Sequence, residues 1–354
     1  MIAVAGIAVP VLRRSIDPLR RALGNFDSPA FDFSLPTRTA QFRFDIRLPR
    51  APSRLPFCCR GRRMLLATLG LVGLLASAAW IVLFPPKPRW HPGTFEVTAI
   101  DVGQGDSLLL ITPEGKTLLM DAGGMPGNTG SEFDVGEEVV SSYLWSRGIR
   151  RLDAIAISHA HADHLGGMRS VITNFQPREL WYGVESPSIP FREVTDAAKL
   201  FHVEQKALIA GDSFNFGGVH GRVLNPEMGM TPHNPPQDDE SLVLRMQYGE
   251  TSALLVGDAH RRIEKLLVDE SPQADLLNVG HHGSATSSSP DFLAAVKPRY
   301  AVVSAGFYNS FHHPRPDVMR RYAEADIRTY RTDLAGAVSF FLDGKSVTAT
   351  PVPR

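Results

Sequence analysis

The chain has 354 residues, of which 43% are hydrophobic, enough to bury a sizeable core in one large domain with additional segments. Its net charge of zero hides two regions of opposite sign, since residues 1–94 carry 14 Lys and Arg against 4 Asp and Glu, whereas residues 95–354 carry 23 against 33. The acidic region contains no cysteine, which excludes Cys–His catalysis and thiolate metal ligands there, and its charge argues against a broad DNA-binding groove built from Lys and Arg.

The first 88 residues predict a membrane anchor behind a basic tail. Residues 1–59 mix Pro, Ser, Arg and isolated Phe without helical or strand periodicity, which is typical of a poorly ordered segment. Met64–Phe84 contains 21 uncharged residues, enough at about 1.5 Å per residue to cross the roughly 30 Å hydrocarbon core of a bilayer. The run is too long and starts too late for a cleaved signal peptide. Residues 60–88 are therefore predicted to form a transmembrane helix and a Pro-rich spacer.

The distribution of arginines predicts the orientation of this segment. Eight arginines lie between Arg38 and Arg63, before the apolar run, whereas Lys87, Arg89 and Lys116 follow it. Because cytoplasmic flanks carry the excess of Lys and Arg, we expect a single-pass protein of the cell membrane. Its N-terminus would be cytoplasmic, its C-terminal domain extracytoplasmic, and membrane lipid would be a partner.

Residues 89–354 predict one domain of strands and helices. The predicted strands are Phe95–Asp101, Ser107–Thr112, Thr117–Met120, Leu152–Ile157, Ser241–Tyr248, Ser252–Val256, Leu276–Val279 and Tyr300–Ser304. The predicted helices are Glu137–Arg147, Arg261–Asp269, Pro290–Ala295 and Pro316–Ala325. Strands dominate first and then alternate with helices, which indicates sheets with helices packed on them. The Pro- and Gly-rich stretch Asn225–Asp239 is predicted to be a long loop at the rim of an active site.

Four potential metal ligands follow the apolar strand that ends at Ile157. They are His159, His161, Asp163 and His164, and a Gly-Gly pair then lets the chain turn into a helix. Imidazoles and a carboxylate at this density suit Zn²⁺ or a similar first-row ion. The first two residues can converge on one ion, and the last two can reach a second ion nearby. The alternative, a solvated His-rich turn, does not account for the flanking strand and glycines.

Three further places supply groups that a dinuclear hydrolase would need. Gly257-Asp258 ends an apolar strand, where the carboxylate can bridge two cations, although an Asp helix N-cap is the alternative. His281-His282 follows another strand in a glycine-flanked loop. Asp121, also after a strand, could orient a ligand histidine through its other ring nitrogen. Two bound divalent ions would lower the pKa of a shared water and stabilise charge on a phosphoryl or carbonyl oxygen.

Together these motifs resemble the metallo-β-lactamase superfamily and, more narrowly, the C-terminal domain of ComEC competence proteins. The narrower resemblance is carried by Asp101–Ser107, Leu119–Gly123, Gly257-Asp258, His281–Ser284 and Asn309–Pro314, and it covers about residues 94–350. It implies an α/β fold, an αββα sandwich, here preceded by one transmembrane helix. It also implies two divalent metal ions, Zn²⁺ or Mn²⁺, at one sheet edge and hydrolysis of DNA phosphodiesters during competence-type uptake.

The resemblance also implies roles for individual residues. The implied metal ligands are His159, His161, Asp163, His164, Asp258 and one of His281 and His282, for which we favour His282. The other histidine of the pair, His281, would contact the substrate. Catalytic roles are expected for Asp163, His281 and Asp121.

The sequence departs from the family pattern in two ways. The superfamily usually has another ligand histidine before the bridging aspartate, whereas here the corresponding stretch is Asp238-Asp239-Glu240-Ser241. Asp238 or Asp239 could serve, Asp239 is the candidate ligand we name, and His233 is a further alternative. The multi-helix channel of ComEC is absent, which predicts a truncated or stand-alone chain that works with a separate membrane channel protein.

Three functions are compatible with these features. The first is a membrane-anchored, metal-dependent phosphodiesterase or nuclease acting on DNA. The second keeps the metal chemistry but acts on a small ester, lactone or phosphodiester, which the acidic charge of residues 95–354 favours. The third is a catalytically inactive assembly or DNA-binding module, which the intact histidines and carboxylates disfavour.

Overall fold

The computed structural model describes residues 57–83, 88, 90–124 and 133–352. The chain divides into two compact units, Met1–Gly73 and Leu74–Arg354. Helix α1, Phe57–Leu83, contains most of the predicted membrane segment, and Leu66 and Trp80 are among its exposed apolar side chains. None of the helices in the described residues reaches the length and apolarity required to cross a membrane. The predicted transmembrane span Met64–Phe84 is thus not confirmed, and the predicted tail up to Pro56 lies outside the described residues.

Fifteen strands in the described residues form two sheets. In chain order they are β1 Phe95–Ala99, β2 Leu108–Ile111, β3 Thr117–Met120, β4 Ala154–Ile157, β5 Glu179–Tyr182, β6 Glu204–Ala207, β7 Ser213–Phe216, β8 Val219–Asn225, β9 Val243–Tyr248, β10 Thr251–Leu255, β11 Leu276–Asn278, β12 Tyr300–Val303, β13 Arg328–Arg331, β14 Val338–Leu342 and β15 Val347–Pro351. The first sheet has eight strands in the order β15-β14-β1-β2-β3-β4-β5-β6. The second has seven in the order β13-β12-β11-β10-β9-β8-β7.

Short helices connect many of these strands. They are α2 Ser142–Ser146, α3 Ala162–Leu165, α4 Met168–Phe175, α5 Ile189–Leu200, α6 Arg261–Asp269, α7 Pro290–Val296, α8 Pro316–Glu324 and α9 Thr332–Ala335. A π-helical segment, Gly136–Ser141, runs directly into α2, so the predicted helix Glu137–Arg147 is helical but begins with a wider turn.

The two sheets face each other across a continuous apolar core. Alternate side chains of both sheets fill it, for example Leu110 and Phe340 from the first sheet and Leu244 and Leu255 from the second, all fully buried. This alternation arises because successive side chains of a strand point to opposite faces of the sheet. The core is therefore a sheet-on-sheet layer like that of a β-sandwich.

The opposite faces of the sheets are covered by helices. Ile155 of β4 packs in one cluster with Val171 and Phe175 of α4. On the second sheet, Leu277 of β11 shares a cluster with Ile263 of α6 and with residues of α7 and α8. The order of layers is helix, sheet, sheet, helix, which confirms the expected αββα architecture.

One edge of the sandwich collects the ends of several parallel strands. In the first sheet β3 pairs with β4 in parallel, and in the second β10, β11 and β12 are parallel neighbours. The carboxyl ends of parallel strands meet at one edge of a sheet, where ligands bind in many α/β folds. Asp121, Ser158, Asp258, His281 and His282 all lie in the segments that follow these strands.

We expect Phe340→Ala to lower the free energy of unfolding by about 3–5 kcal/mol, since the substitution leaves a cavity between the sheets beside the rings of Tyr300 and Tyr330. Urea unfolding of the parent chain and the variant measures the effect. The control is Leu200→Ala at an exposed position of α5, where a change within about 0.5 kcal/mol is expected. Equal losses in the two variants would contradict this account of the core.

Candidate metal centre

The histidine-rich loop after β4 is held against a glycine turn between β1 and β2. The backbone N–H of Asp106 donates to the carbonyl oxygen of Asp163 at 3.2 Å. Gly105 has a φ of 137° and lies so close to this carbonyl that a Cβ atom there would overlap it. Only glycine tolerates both the backbone conformation and the close approach. The turn that includes Gly105 thus fixes the position of the loop that carries the histidines.

The first group of potential ligands consists of His159, His161 and Asp238. His161 Nδ1 lies 3.0 Å from Asp238 Oδ1, and His159 Nε2 lies 3.7 Å from the same oxygen. The other ring nitrogen of His161, Nε2, lies 2.9 Å from the carbonyl oxygen of Pro236. It donates a hydrogen bond to this oxygen in the tautomer that carries the proton on Nε2. One carboxylate oxygen and two imidazole nitrogens thus converge at the rim formed by the loop before β9.

The second group consists of Asp163, His164, Asp258 and His282, whose ligand atoms all lie within 4.8 Å of one another. His164 Nε2 is 3.3 Å from Asp258 Oδ1, and His282 Nε2 is 3.4 Å from Asp163 Oδ2 and 3.6 Å from Asp258 Oδ2. These contacts are close enough for charge attraction but are not aligned as hydrogen bonds. Asp258 therefore presents both of its oxygens to neighbouring imidazoles.

Hydrogen bonds on the far side of the imidazoles hold them in this orientation. Asp121 Oδ2 lies 2.9 Å from His164 Nδ1, while its Oδ1 accepts from the backbone N–H of Ser158 at 2.8 Å. His282 Nδ1 lies 3.0 Å from the carbonyl oxygen of Ser304. Each ring thereby turns its Nε2 toward the centre of the group. Partners of this kind set the tautomer of a ligand histidine, and Asp121 contacts His164 in this way.

A third group lies at the opening of the site and includes a histidine that the sequence did not indicate. His260 Nε2 is 2.9 Å from Asp238 Oδ2 and 2.7 Å from His281 Nδ1, and the two imidazole rings stack with a centroid separation of 4.9 Å. His281 Nε2 is 3.7 Å from Asp258 Oδ2. The only signal for His260 in the sequence was its position two residues after Asp258, at the start of α6.

The structure favours Asp238 over Asp239 as the carboxylate of the first group. Asp239 Oδ2 accepts from Arg262 Nε at 2.7 Å, and Asp239 Oδ1 accepts from the backbone N–H of His260 at 3.2 Å. Asp239 is in none of the ligand groups found among the described residues. His233 lies apart as well, since its Nδ1 bonds to Glu240 at 2.7 Å. Asp238 and Asp239 are adjacent, and the short helical turn Asp238–Glu240 decides which of them faces the histidines.

The buried carboxylates strongly affect the imidazoles between them. Burial alone would lower the pKa of His164, but the carboxylates of Asp258 and Asp121 raise it well above its usual value. Burial would also lower the pKa of His282, but the carboxylates of Asp258 and Asp163 raise it to about 9. Burial would raise the pKa of Asp258, yet His282 and His164 lower it well below its usual value. The carboxylates thus attract positive charge to this group, and a metal ion bound here would take the place of the protons on the two imidazoles.

The donor atoms of the second group fit a divalent metal ion. His164 Nε2, Asp258 Oδ1 and His282 Nε2 are buried and have no hydrogen-bond partner among the described residues. Buried polar atoms normally have a partner, and a convergent set without one calls for an explanation. Imidazole nitrogens together with carboxylate oxygens are the ligands of Zn²⁺, Mn²⁺ and related ions. The arrangement therefore fits a metal held by these residues.

Comparison with known proteins agrees with this geometry. Residues 100–306 match the sequence profile of the metallo-β-lactamase superfamily. The chain belongs to this superfamily. Its fold is that of a metal-dependent hydrolase with two sheets, as the sequence motifs predicted.

The narrower resemblance to competence proteins is confirmed by two relatives. ComE operon protein 3 of Bacillus subtilis is 32% identical over 256 residues, which cover 69% of this chain and 33% of that protein. Competence protein ComA of Neisseria gonorrhoeae is 34% identical over 256 residues, 72% of this chain and 33% of the relative. The chain thus spans about a third of the length of these relatives. The solved structure of the metallo-β-lactamase fold protein YhfI from B. subtilis matches 72% of this chain and 100% of its own, with 13% identity and a TM-score of 0.47.

We expect Asp238→Ala to lose metal from the first group and Asp239→Ala to retain it, because only Asp238 faces His159 and His161. Elemental analysis of the purified full chain after loading with Mn²⁺ or Zn²⁺ gives the number of ions bound per chain. The neighbouring variant is the matched control, since both changes remove one carboxylate from the same helical turn. A larger loss of metal in Asp239→Ala would contradict the assignment.

Asp121→Asn should weaken metal binding about 10–100-fold, since the amide no longer offers His164 a carboxylate to orient its ring. Titration of the chelator-treated chain with Mn²⁺ measures the affinity. Asp196→Asn, on the exposed face of α5, serves as the control for a surface charge change. An affinity in Asp121→Asn equal to that of the control would exclude an orienting role.

Proposed function

We propose that this chain is a phosphodiesterase that hydrolyses a DNA strand with two divalent ions, Zn²⁺ or Mn²⁺. The observation that carries the proposal is the convergence of two histidine–carboxylate groups at one sheet edge, with Asp258 buried in the second. The rings of His159, from the first group, and His164, from the second, lie only 4.2 Å apart between centroids. Similarity to competence proteins supports DNA as the substrate class.

The residues present divide naturally between two ions. His159, His161 and Asp238 would hold one, and Asp163, His164, Asp258 and His282 the other. When bound, such ions supply a nucleophilic hydroxide at neutral pH and stabilise charge that develops on phosphoryl oxygens. Burial lowers the pKa of His159 well below its usual value, which keeps this imidazole in the neutral form that binds a metal.

The remaining polar groups at the opening suit contact with the substrate. His281 faces Asp258 on one side and stacks on His260 on the other, and its side chain is partly exposed. An imidazole in this position can donate a hydrogen bond to a phosphoryl oxygen or protonate the leaving oxygen. His281 has a φ of 48° and His282 a φ of 53°, an unusual pair of left-handed residues that turns the two side chains in different directions. One ring is therefore directed into the buried group and the other toward the opening.

We also propose that the chain acts at the outer face of the cell membrane. The uncharged run Met64–Phe84 and the preceding arginines support an anchor with a cytoplasmic N-terminus. A membrane channel protein is the partner we propose for DNA transport, since the chain is similar to competence proteins.

A second candidate function is hydrolysis of a small ester, lactone or phosphodiester. The surplus of Asp and Glu over Lys and Arg in residues 95–354 favours it, since polyanion binding usually depends on positive charge. Measuring hydrolysis at increasing salt concentration separates the two candidates. Salt weakens the binding of DNA phosphates, whereas a small neutral ester has no phosphate whose contacts salt could screen.

The metal-loaded full chain should cleave single-stranded DNA and methyl p-nitrophenyl phosphate, and chelation should abolish both activities. We expect His161→Ala and Asp258→Ala to lower kcat/KM about a hundredfold or more, since each removes a group that holds a metal ion. His220→Ala, an exposed histidine of β8, is the control and should retain parental activity. Equal hydrolysis by the parent and both site variants would refute metal catalysis at this site. If the chain cleaves a lactone or a carboxylic ester but no phosphodiester, the second candidate is favoured.

A further inference from the structure

An exposed aromatic loop lies beside the metal centre. We use this name for residues 306–314, between β12 and α8. Phe307 is 65% exposed, Tyr308 91% and Phe311 48%, although each is a large aromatic side chain that folding normally buries. In the described part of Leu74–Arg354, the other exposed large aromatic residues are Trp80, Phe133 and Trp145, far apart from one another in sequence. Three exposed aromatic residues within five positions are therefore a local concentration.

Hydrogen bonds of Asn309 and Gly306 hold the backbone of the aromatic loop in place. Asn309 Nδ2 donates to the carbonyl oxygens of Gly306 at 2.9 Å and His313 at 2.6 Å, and Asn309 Oδ1 accepts from the N–H of His313 at 2.9 Å. Gly306 N–H donates to Gln104 in the turn that also supports the histidine loop. Because the loop is anchored at both ends, its aromatic side chains are held outward in a defined arrangement.

Ring contacts connect this loop to the catalytic centre. His281 and His313 meet edge to face with centroids 5.6 Å apart, and His313 stacks on Phe311 at 5.9 Å with an interplanar angle of 28°. His281 in turn lies 3.7 Å from Asp258. Two ring contacts thus connect Phe311 to His281, the histidine next to Asp258. Nucleotides that flank a phosphate bound at the centre would therefore lie close to the loop.

We propose that the aromatic loop is a stacking platform for unpaired nucleobases on either side of the scissile phosphodiester. This inference rests on the proposed function and specifies its substrate as a single-stranded nucleic acid. Bases in a duplex already stack on one another, whereas unpaired bases expose faces that aromatic side chains can cover. The platform would make the centre selective for single strands without reading their sequence, since every base has a π-face.

The charge of the domain supports stacking as the source of affinity. Residues 95–354 carry 23 Lys and Arg against 33 Asp and Glu, so electrostatic attraction of phosphates is weak outside the metal centre. Of the basic residues after the loop, Arg321 is engaged by Asp317 and by the carbonyl oxygens of Ser287 and Ser288. Arg315 and Arg320 are exposed and offer a local phosphate contact. Stacking, which needs no net charge, compensates for the small number of such contacts.

The test compares base-bearing and abasic substrates with the metal-loaded full chain. The substrates are a 12-nucleotide DNA strand, the same strand with abasic sites on both sides of one phosphodiester, an RNA strand of the same sequence, and methyl p-nitrophenyl phosphate. For the parent, kcat/KM should be about tenfold or more higher with bases than without, which is the effect expected for one stacked base. The readout for each variant is the ratio of kcat/KM for the DNA strand to that for the small diester. Equal kcat/KM values for the DNA and RNA strands support recognition of the base alone, and a lower value for one of them shows that the sugar is recognised as well.

We expect Tyr308→Ala and Phe311→Ala to reduce this ratio about tenfold and Tyr308→Phe to preserve it, because the phenyl ring stacks as the phenol does. Tyr308→Leu should reduce the ratio as much as Tyr308→Ala does, because leucine is apolar but has no aromatic ring on which a base can stack. The control for an exposed aromatic away from the centre is Trp145→Leu, which keeps an apolar contact with Phe175 and should leave the ratio at the parental value.

Equilibrium binding of the labelled DNA strand, followed by fluorescence anisotropy, separates two kinds of failure. If the parent binds but hydrolyses no phosphodiester, the proposed function fails, while weaker binding by Tyr308→Ala still supports the platform. If the parent hydrolyses DNA and the aromatic variants match it in binding and in ratio, the platform is refuted. A different result would assign the loop to the lipid surface and refute the platform. In that case Tyr308→Ala, but not Tyr308→Leu, binds phosphatidylglycerol vesicles more weakly than the parent, while the ratio of kcat/KM for DNA to that for the small diester is unchanged.

Discussion

The structure depends on the burial of several carboxylates next to several imidazoles at one edge of the sandwich. Asp258 is almost inaccessible to solvent and has His164, His281 and His282 around its two oxygens. Burying so many ionisable groups is costly unless they are paired or bind a metal. The strands that end at this edge, the glycine turn below the histidine loop and the bonds from Asp121 and Ser304 all serve to hold these groups together. Fold and site are thus one arrangement.

Much of this arrangement could be predicted from the sequence, because it depends on local signals. A buried strand followed by polar residues and glycine identifies both the strand and the side chains at its end, and Thr117–Met120 and Arg261–Asp269 have the predicted bounds. Asp121, Asp258 and the histidines each follow a strand that has a parallel neighbour, which explains why they lie together at one edge of the sandwich. By contrast, strands β5 to β8 and β13 to β15 have weaker signals, since several are short, partly exposed or interrupted by polar residues.

What could not be predicted depends on contacts between distant segments. Asp238 and Asp239 are chemically equivalent in sequence, and only the turn before β9 directs one toward His161 and the other toward Arg262. His260 resembled an ordinary residue at a helix start until the folded chain placed it against His281. The exposure of Phe307, Tyr308 and Phe311 was equally hidden, because an aromatic residue in a loop is usually covered by another part of the chain.

We propose that two metal ions share the edge around Asp258. Anomalous diffraction at the metal absorption edge, from crystals of the Mn²⁺- or Zn²⁺-loaded chain, tests it most directly. We expect two peaks, one bonded to His159, His161 and Asp238 and the other to Asp163, His164, Asp258 and His282. A loaded crystal with no peak beside Asp258, or with ions bound only elsewhere on the surface, would contradict it.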